Sequence, residues 1–188
     1  NFGNFIGFLS FLNYICTPLN VMEEKILQIA QKLFLTYGFK TVTMDDIATE
    51  LSISKKTIYN FFPNKNKLVE VVANNFHSQI TDGVTKVKET SKNPIDEIFE
   101  IKKQVMNHLK DQRGNSIYQL ERFYPEIFDK LKKKGLAFMI KSLGETLSNG
   151  IEFGLIRKNI DVDFVSRIYY NSILGLMDPE IYPPKNYS

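Results

Sequence analysis

From Met22 onward the apolar residues recur three and four positions apart, and no stretch alternates at every second position. A period near 3.6 places such residues on one side of a helix, whereas a half-buried strand needs a period of two. The chain is therefore predicted to be all-α. The first helix carries Ile26, Ile29, Ala30, Leu33, Phe34 and Tyr37, and Gly38 stands where a left-handed residue ends it. Thr43 offers an N-cap, with Asp45 and Asp46 in the first turn, where negative charge suits the helix dipole. Met44, Ile47, Ala48 and Leu51 give this second, short helix its buried face. Ser54 caps a third helix through Lys55, Lys56, Thr57, Ile58, Tyr59, Asn60 and Phe61, and Pro63 stops it.

Longer helices follow. Asn64 caps one whose stripe runs through Leu68, Val71, Val72, Phe76, Ile80, Val84 and Val87, and Lys92-Asn93-Pro94 breaks it. A fifth carries Ile95, Ile98, Phe99, Val105, Met106 and Leu109 and is expected to end near Gly114. A sixth spans Ile117 to Tyr124, and Pro125 opens a seventh that reaches about Phe153. Residues 154–160 read as a loop, after which Asp161 or Asp163 caps a last clear helix through Met177. No internal repeat or low-complexity tract interrupts this order.

The short second and third helices, joined by Leu51-Ser52-Ile53, fit a helix-turn-helix. That motif needs a small residue where the helices cross, a tight turn and apolar anchors, and Ala48, Ile53 and Ile58 supply them. Paired short helices also occur in plain helical bundles, so pattern alone leaves that alternative open. Charge favours the motif weakly, since a solvated surface face could produce the same run of lysines. Net charge is only +3, but residues 54–67 hold four lysines (Lys55, Lys56, Lys65, Lys67) and no acid.

Other chemistries find little support. The lone Cys16 excludes an intrachain disulfide and any cysteine-cluster metal site, and a reducing cytoplasm is the expected setting. His77 and His108 lie on separate helices without the nucleophile or carboxylate arrangement of a catalytic or metal signature. Both are expected to be structural or surface residues, and neither an enzyme activity nor a cofactor is expected. Residues 1–20 are uncharged and rich in Phe, Ile and Leu, but lack the basic start of a secretory signal, and Asn, Ser, Gly and Pro interrupt them. Two readings stand for residues 1–21: an extension upstream of a soluble domain that starts at Met22, or an extra apolar helix packed on the body or a partner. A membrane role is not expected.

The stretch Thr43-Met-Asp-Asp-Ile-Ala-Thr-Glu-Leu-Ser-Ile-Ser-Lys-Lys-Thr-Ile-Tyr-Asn-Phe-Phe-Pro-Asn-Lys-Asn-Lys-Leu68 resembles the signature of the tetracycline-repressor (TetR/AcrR) family. Residues 29–39, Ile-Ala-Gln-Lys-Leu-Phe-Leu-Thr-Tyr-Gly-Phe, are similar to that family's first helix and its glycine. Weaker echoes at Phe123-Tyr-Pro-Glu126 and Gly150-Ile-Glu-Phe-Gly-Leu-Ile-Arg157 extend the resemblance over most of the chain after Met22. Two departures stand out. Ser52 occupies a turn position that is usually glycine, and 178–188 is too rich in proline to supply the further helix that usually completes the dimer interface.

The resemblance implies a DNA-binding domain over 22–67 and an effector-binding and dimerisation domain over 68–188. It implies that Thr43, Tyr59 and Lys65 bond phosphates, while Lys55, Lys56, Thr57 and Asn60 face base edges. The partners implied are a palindromic double-stranded DNA operator, a second copy of the chain, and an apolar or aromatic small-molecule effector that releases the DNA. Aromatic and soft side chains of the larger domain are candidates for the effector pocket: Phe99, Met106, Tyr118, Phe123, Phe138 and Tyr169. The last helix, with Phe164, Val165, Ile168, Tyr169, Ile173, Leu174, Leu176 and the small Gly175, is expected to form the two-fold interface. The rival expectation is a helical architectural or interaction protein that uses the same module without regulating a promoter.

Overall fold

A computed structural model describes residues 21–110 and 116–176. The apolar stretch 1–20 with Cys16, the helix end near Gly114 and the tail 178–188 lie outside the described residues, as do the side chains of Met106, His108, Leu174 and Leu176. Eight helices make up the described fold: α1 (21–37), α2 (Met44–Glu50), α3 (Lys55–Phe61), α4 (Lys65–Thr90), α5 (Pro94–Lys110), α6 (Ser116–Phe123), α7 (Pro125–Glu152) and α8 (Val162–Leu176). Among the described residues there is no strand, and no helix is long and apolar enough to cross a membrane.

Local chemistry sets the helix ends. Gly38 adopts φ +94°, and its N–H closes on the Phe34 carbonyl at 2.9 Å, which ends α1. The side chains of Thr43, Ser54 and Asn64 each accept a backbone N–H three residues on, so three successive helices start from a side-chain cap. Pro125 opens α7, and Asp161 Oδ1 accepts the Phe164 N–H at 3.0 Å to start α8.

One apolar cluster joins the small N-terminal unit to the body. Ile26, Ala30 and Phe34 of α1, Ile47 of α2, Ile58 of α3 and Leu68, Val69 and Val72 of α4 are fully buried together, and Leu120 of α6 and Phe128 of α7 close the same cluster. Helix α4 therefore starts in the core of the three-helix unit and runs on through the body, where Val84 packs with Ile101 and Val105 of α5. A third cluster, Met139, Leu143 and Leu147 of α7, receives Val165, Tyr169 and Ile173 of α8.

That last packing corrects the expected outward face of α8. Val165, Tyr169 and Ile173, spaced by four, lie on the inward row, whereas Phe164 (59% exposed) and Ile168 (50% exposed) form the neighbouring outward row. A polar seam runs beside these clusters. Thr146 of α7 hydrogen-bonds the buried Glu97 carboxylate of α5, and Lys88 of α4 lies 3.9 Å from Glu97 and 2.7 Å from Glu145.

Candidate functional site

The turn between α2 and α3 is closed by backbone bonds from Leu51 N to Ile47 O (3.1 Å), Ser52 N to Thr49 O (3.0 Å) and Ile53 N to Ala48 O (3.0 Å). Ser52 is left at φ +54°, so the left-handed backbone is kept although no glycine occupies it. Ala48 is buried at the crossing, and the wholly buried Ile58 pins the inner face of α3. The outer face then follows from helix geometry. Lys56, Tyr59 and Asn60 are exposed, Tyr59 at 42%, while Lys55 and Thr57 are half-buried at its start. Tyr59 is thus a surface residue rather than part of the core.

Lys55 Nζ donates to Asp45 Oδ2 at 2.7 Å, and this bond raises the lysine's pKa. The pair braces α3 against α2. No acid occupies the first turn of α3 or of α4.

Thr43 and Lys65 flank this surface and are engaged within the protein. Thr43 donates both its backbone N–H and its hydroxyl to Asp46 Oδ2, each at 2.8 Å, and these bonds hold the aspartate below its ordinary pKa. Lys65 Nζ donates to the Lys40 carbonyl at 3.1 Å and lies 5.9 Å from the centre of the Phe34 ring. Burial, reinforced by the nearby Lys40 charge, pushes the Lys65 pKa down. These two of the three residues expected at phosphates therefore also tie the α1–α2 turn to α2 and α4.

A cavity of about 160 Å³ lies directly behind that turn. Phe76, Ile80 and Val84 of α4, Phe128, Phe138 and Met139 of α7, and Tyr170 and Ile173 of α8 form part of its walls. Val105 of α5, Ile117 and Leu120 of α6, Leu35 of α1 and Phe39 of the α1–α2 turn line it too, so the three-helix unit itself contributes to the lining. Of the aromatic candidates read from the sequence, Phe138 lines this cavity. Phe99 instead faces solvent at 64% exposure. Phe123 is exposed beneath Lys40, whose Nζ stands 4.9 Å from its ring centre. Tyr118 accepts a hydrogen bond from Arg122 at 2.8 Å, and Tyr169 packs in the α7–α8 cluster; neither lines the cavity.

Tyr170, another aromatic of the larger domain at helical spacing, also lines the cavity, whereas His77, expected to be a structural or surface residue, was passed over as a lining residue. Its place on α4 between Phe76 and Ile80 of the apolar stripe is the signal that could have found it.

A chain of contacts runs from the cavity to the start of α4. Phe39 stacks on Phe34 at 5.1 Å, and its carbonyl accepts from the Tyr124 hydroxyl at 3.4 Å. The next residue, Lys40, donates its N–H to Gln119 Oε1 at 2.9 Å while its carbonyl holds Lys65. Gln119 approaches so closely that a Cβ built on Gly38 would stand 2.2 Å from Oε1.

Residues 26–72 match the family model for bacterial regulatory proteins of the tetR family. The chain is 29% identical over 164 residues to the HTH-type transcriptional regulator YdeS of Bacillus subtilis (strain 168), covering 80% of this chain and 75% of that protein. It is 24% identical over 155 residues to the HTH-type transcriptional repressor KstR2 of Mycolicibacterium smegmatis (strain ATCC 700084 / mc(2)155), covering 77% and 72% of the two chains. The crystal structure of a TetR-family transcriptional regulator from Agrobacterium tumefaciens superposes with a TM-score of 0.72, over 85% of this chain and 86% of that one. Its sequence identity is 17%, so that likeness speaks to the fold alone.

Proposed function

The first domain of this chain belongs to the tetR family of bacterial regulatory proteins, and from that premise we propose a ligand-responsive transcriptional repressor that binds a palindromic operator as a dimer. The observation that carries the proposal is the outer face of α3. A helix held by Ala48 and Ile58 presents Lys56, Tyr59 and Asn60 to solvent, with Lys55 and Thr57 at its N-terminal end. Such a face enters a major groove, where lysine donates to guanine, asparagine pairs with adenine and a threonine methyl meets thymine. Tyr59, Thr43 and Lys65 would contact phosphates, the last two at sites where Asp46 and the Lys40 carbonyl already orient them.

The cavity behind the α1–α2 turn is the proposed effector site. Because Leu35 and Phe39 line it, a ligand there touches the DNA-binding unit directly, and Lys40, Gln119 and Lys65 carry the displacement to the start of α4. Ligand and operator would then oppose each other through one reciprocal coupling energy. The proposed dimer surface is the outward row of α8, Phe164 and Ile168, continued by the exposed Phe153 and Leu155 before it. Large apolar side chains left exposed on α8 suit an isologous contact with a second copy.

Selection of genomic fragments by the purified protein, followed by titration of the selected site, tests the proposal. Tyr59→Phe should weaken binding to every sequence alike, whereas Asn60→Ala should change base preference by about 1–3 kcal/mol at particular positions. Failure to select any sequence above random DNA would instead favour an architectural protein.

Lys55 is already paired with Asp45, so Lys56 at base edges and Lys65 at phosphate are the lysines expected to displace counterions on each head. About four charges per dimer imply a loss of roughly a hundredfold in affinity between 50 and 200 mM salt. A flat salt titration would refute the reading head.

A further inference from the structure

The cavity walls are apolar apart from a few groups, and their hydrogen bonds distinguish those groups. The Tyr170 hydroxyl donates to the Lys132 carbonyl at 3.0 Å, and the Thr81 hydroxyl donates to the Ser78 carbonyl at 2.9 Å. Lys132 is exposed, with its ammonium 5.9 Å from the Phe128 ring centre. Nε2 of His77 differs. It is a fully buried polar atom without a hydrogen-bond partner, on a residue that lines the cavity. Buried polar atoms are rarely left unmet in folded proteins, so this one calls for an explanation.

Resting on the effector-site reading above, we infer that the cavity takes an uncharged one- or two-ring apolar molecule whose single hydroxyl or carbonyl oxygen hydrogen-bonds His77 Nε2. Size supports the class. A dry cavity near 150 Å³, lined by similar side chains, accommodates a benzene ring, and this one measures about 160 Å³. Charge supports it as well. Burial, helped by Lys134, lowers the His77 pKa and keeps the imidazole neutral, while the Lys134 ammonium is bonded to Asn74 Oδ1 at 2.8 Å. An acid would therefore find no imidazolium in the cavity and would have to turn its charge toward Lys132 at the surface. A hydroxyl meets Nε2 in either tautomer, because it donates or accepts, and a carbonyl accepts from the tautomer that carries its proton on Nε2.

Calorimetric titration of the full chain with 2-naphthol, naphthalene and 2-naphthoate tests the inference. Wild type should bind 2-naphthol about tenfold or more tighter than naphthalene, with 2-naphthoate weaker than 2-naphthol. His77→Leu should abolish the preference for naphthol and keep naphthalene binding, whereas His77→Gln, which retains a polar tip, should restore part of the preference. Phe138→Trp should reduce binding of all three by filling the cavity. Equal binding of naphthol and naphthalene to wild type would overturn the role of His77, as would a preference that survives His77→Leu. Tightest binding by naphthoate would place the polar end at Lys132 and overturn the inference. If none of the three binds wild type, the cavity itself fails as an effector site, and the inference fails with it.

Discussion

Replacing Ser52 with glycine should stabilise the chain by about 0.5–1 kcal/mol, for a reason that lies wholly in the backbone. Ser52 sits at φ +54° in the turn between α2 and α3, and three backbone bonds, from Leu51, Ser52 and Ile53, hold it there. A left-handed conformation costs an L-residue roughly 1–2 kcal/mol. Glycine escapes that strain but loses more conformational freedom on folding, which returns about 0.5–1 kcal/mol to the unfolded side. The difference leaves a modest net gain. For a chain of this size it corresponds to a rise of about 1–4 °C in Tm.

Urea and thermal unfolding of wild type, Ser52→Gly and Ser52→Ala would measure it. The alanine variant keeps the strained Cβ and loses the hydroxyl, so it should stay within about 0.5 kcal/mol of wild type. Operator affinity should be unchanged in both variants, since the turn path is the same. A glycine variant no more stable than wild type, or an alanine variant that gains as much, would refute the strain argument.

Lys88→Met should destabilise by about 2–3 kcal/mol, because it strands the buried Glu97 carboxylate beside Thr146, and urea midpoints would show it. Ile168→Glu on the outward row should convert dimers to folded monomers in sedimentation, whereas Ile173→Glu, facing the cavity and the α7 cluster, should unfold the chain. Acid should also weaken the fold through His77, whose pKa lies below the ordinary 6.5 in the folded chain because of burial and Lys134. The unfolded chain then takes the proton first, so this contribution is intact above about pH 6.5 and is lost as pH falls through the folded value. His77→Leu should show a smaller drop in urea midpoint than wild type on that descent, and an equal drop would refute the assignment.

The helices and most of their ends were legible in the sequence because their causes are local. Thr43, Ser54 and Asn64 cap from three residues away, Gly38 ends α1 by its own φ, and Pro125 opens α7 by its missing N–H. The outer face of α3 was legible too, since a buried Ala48 and Ile58 leave Lys56, Tyr59 and Asn60 no inward side to occupy.

Which aromatic meets the cavity was not legible. Phe99 and Phe138 both sit in amphipathic helices, yet one faces water and the other the cavity, according to how α5 and α7 are turned against α4. Likewise Ile168 and Ile173 differ by five positions along α8, and only the packing of α7 decides which row is inward. Periodicity specifies the faces a helix has. The partner each face meets depends on rotations and crossings set jointly by every helix in the fold, and no single segment encodes them.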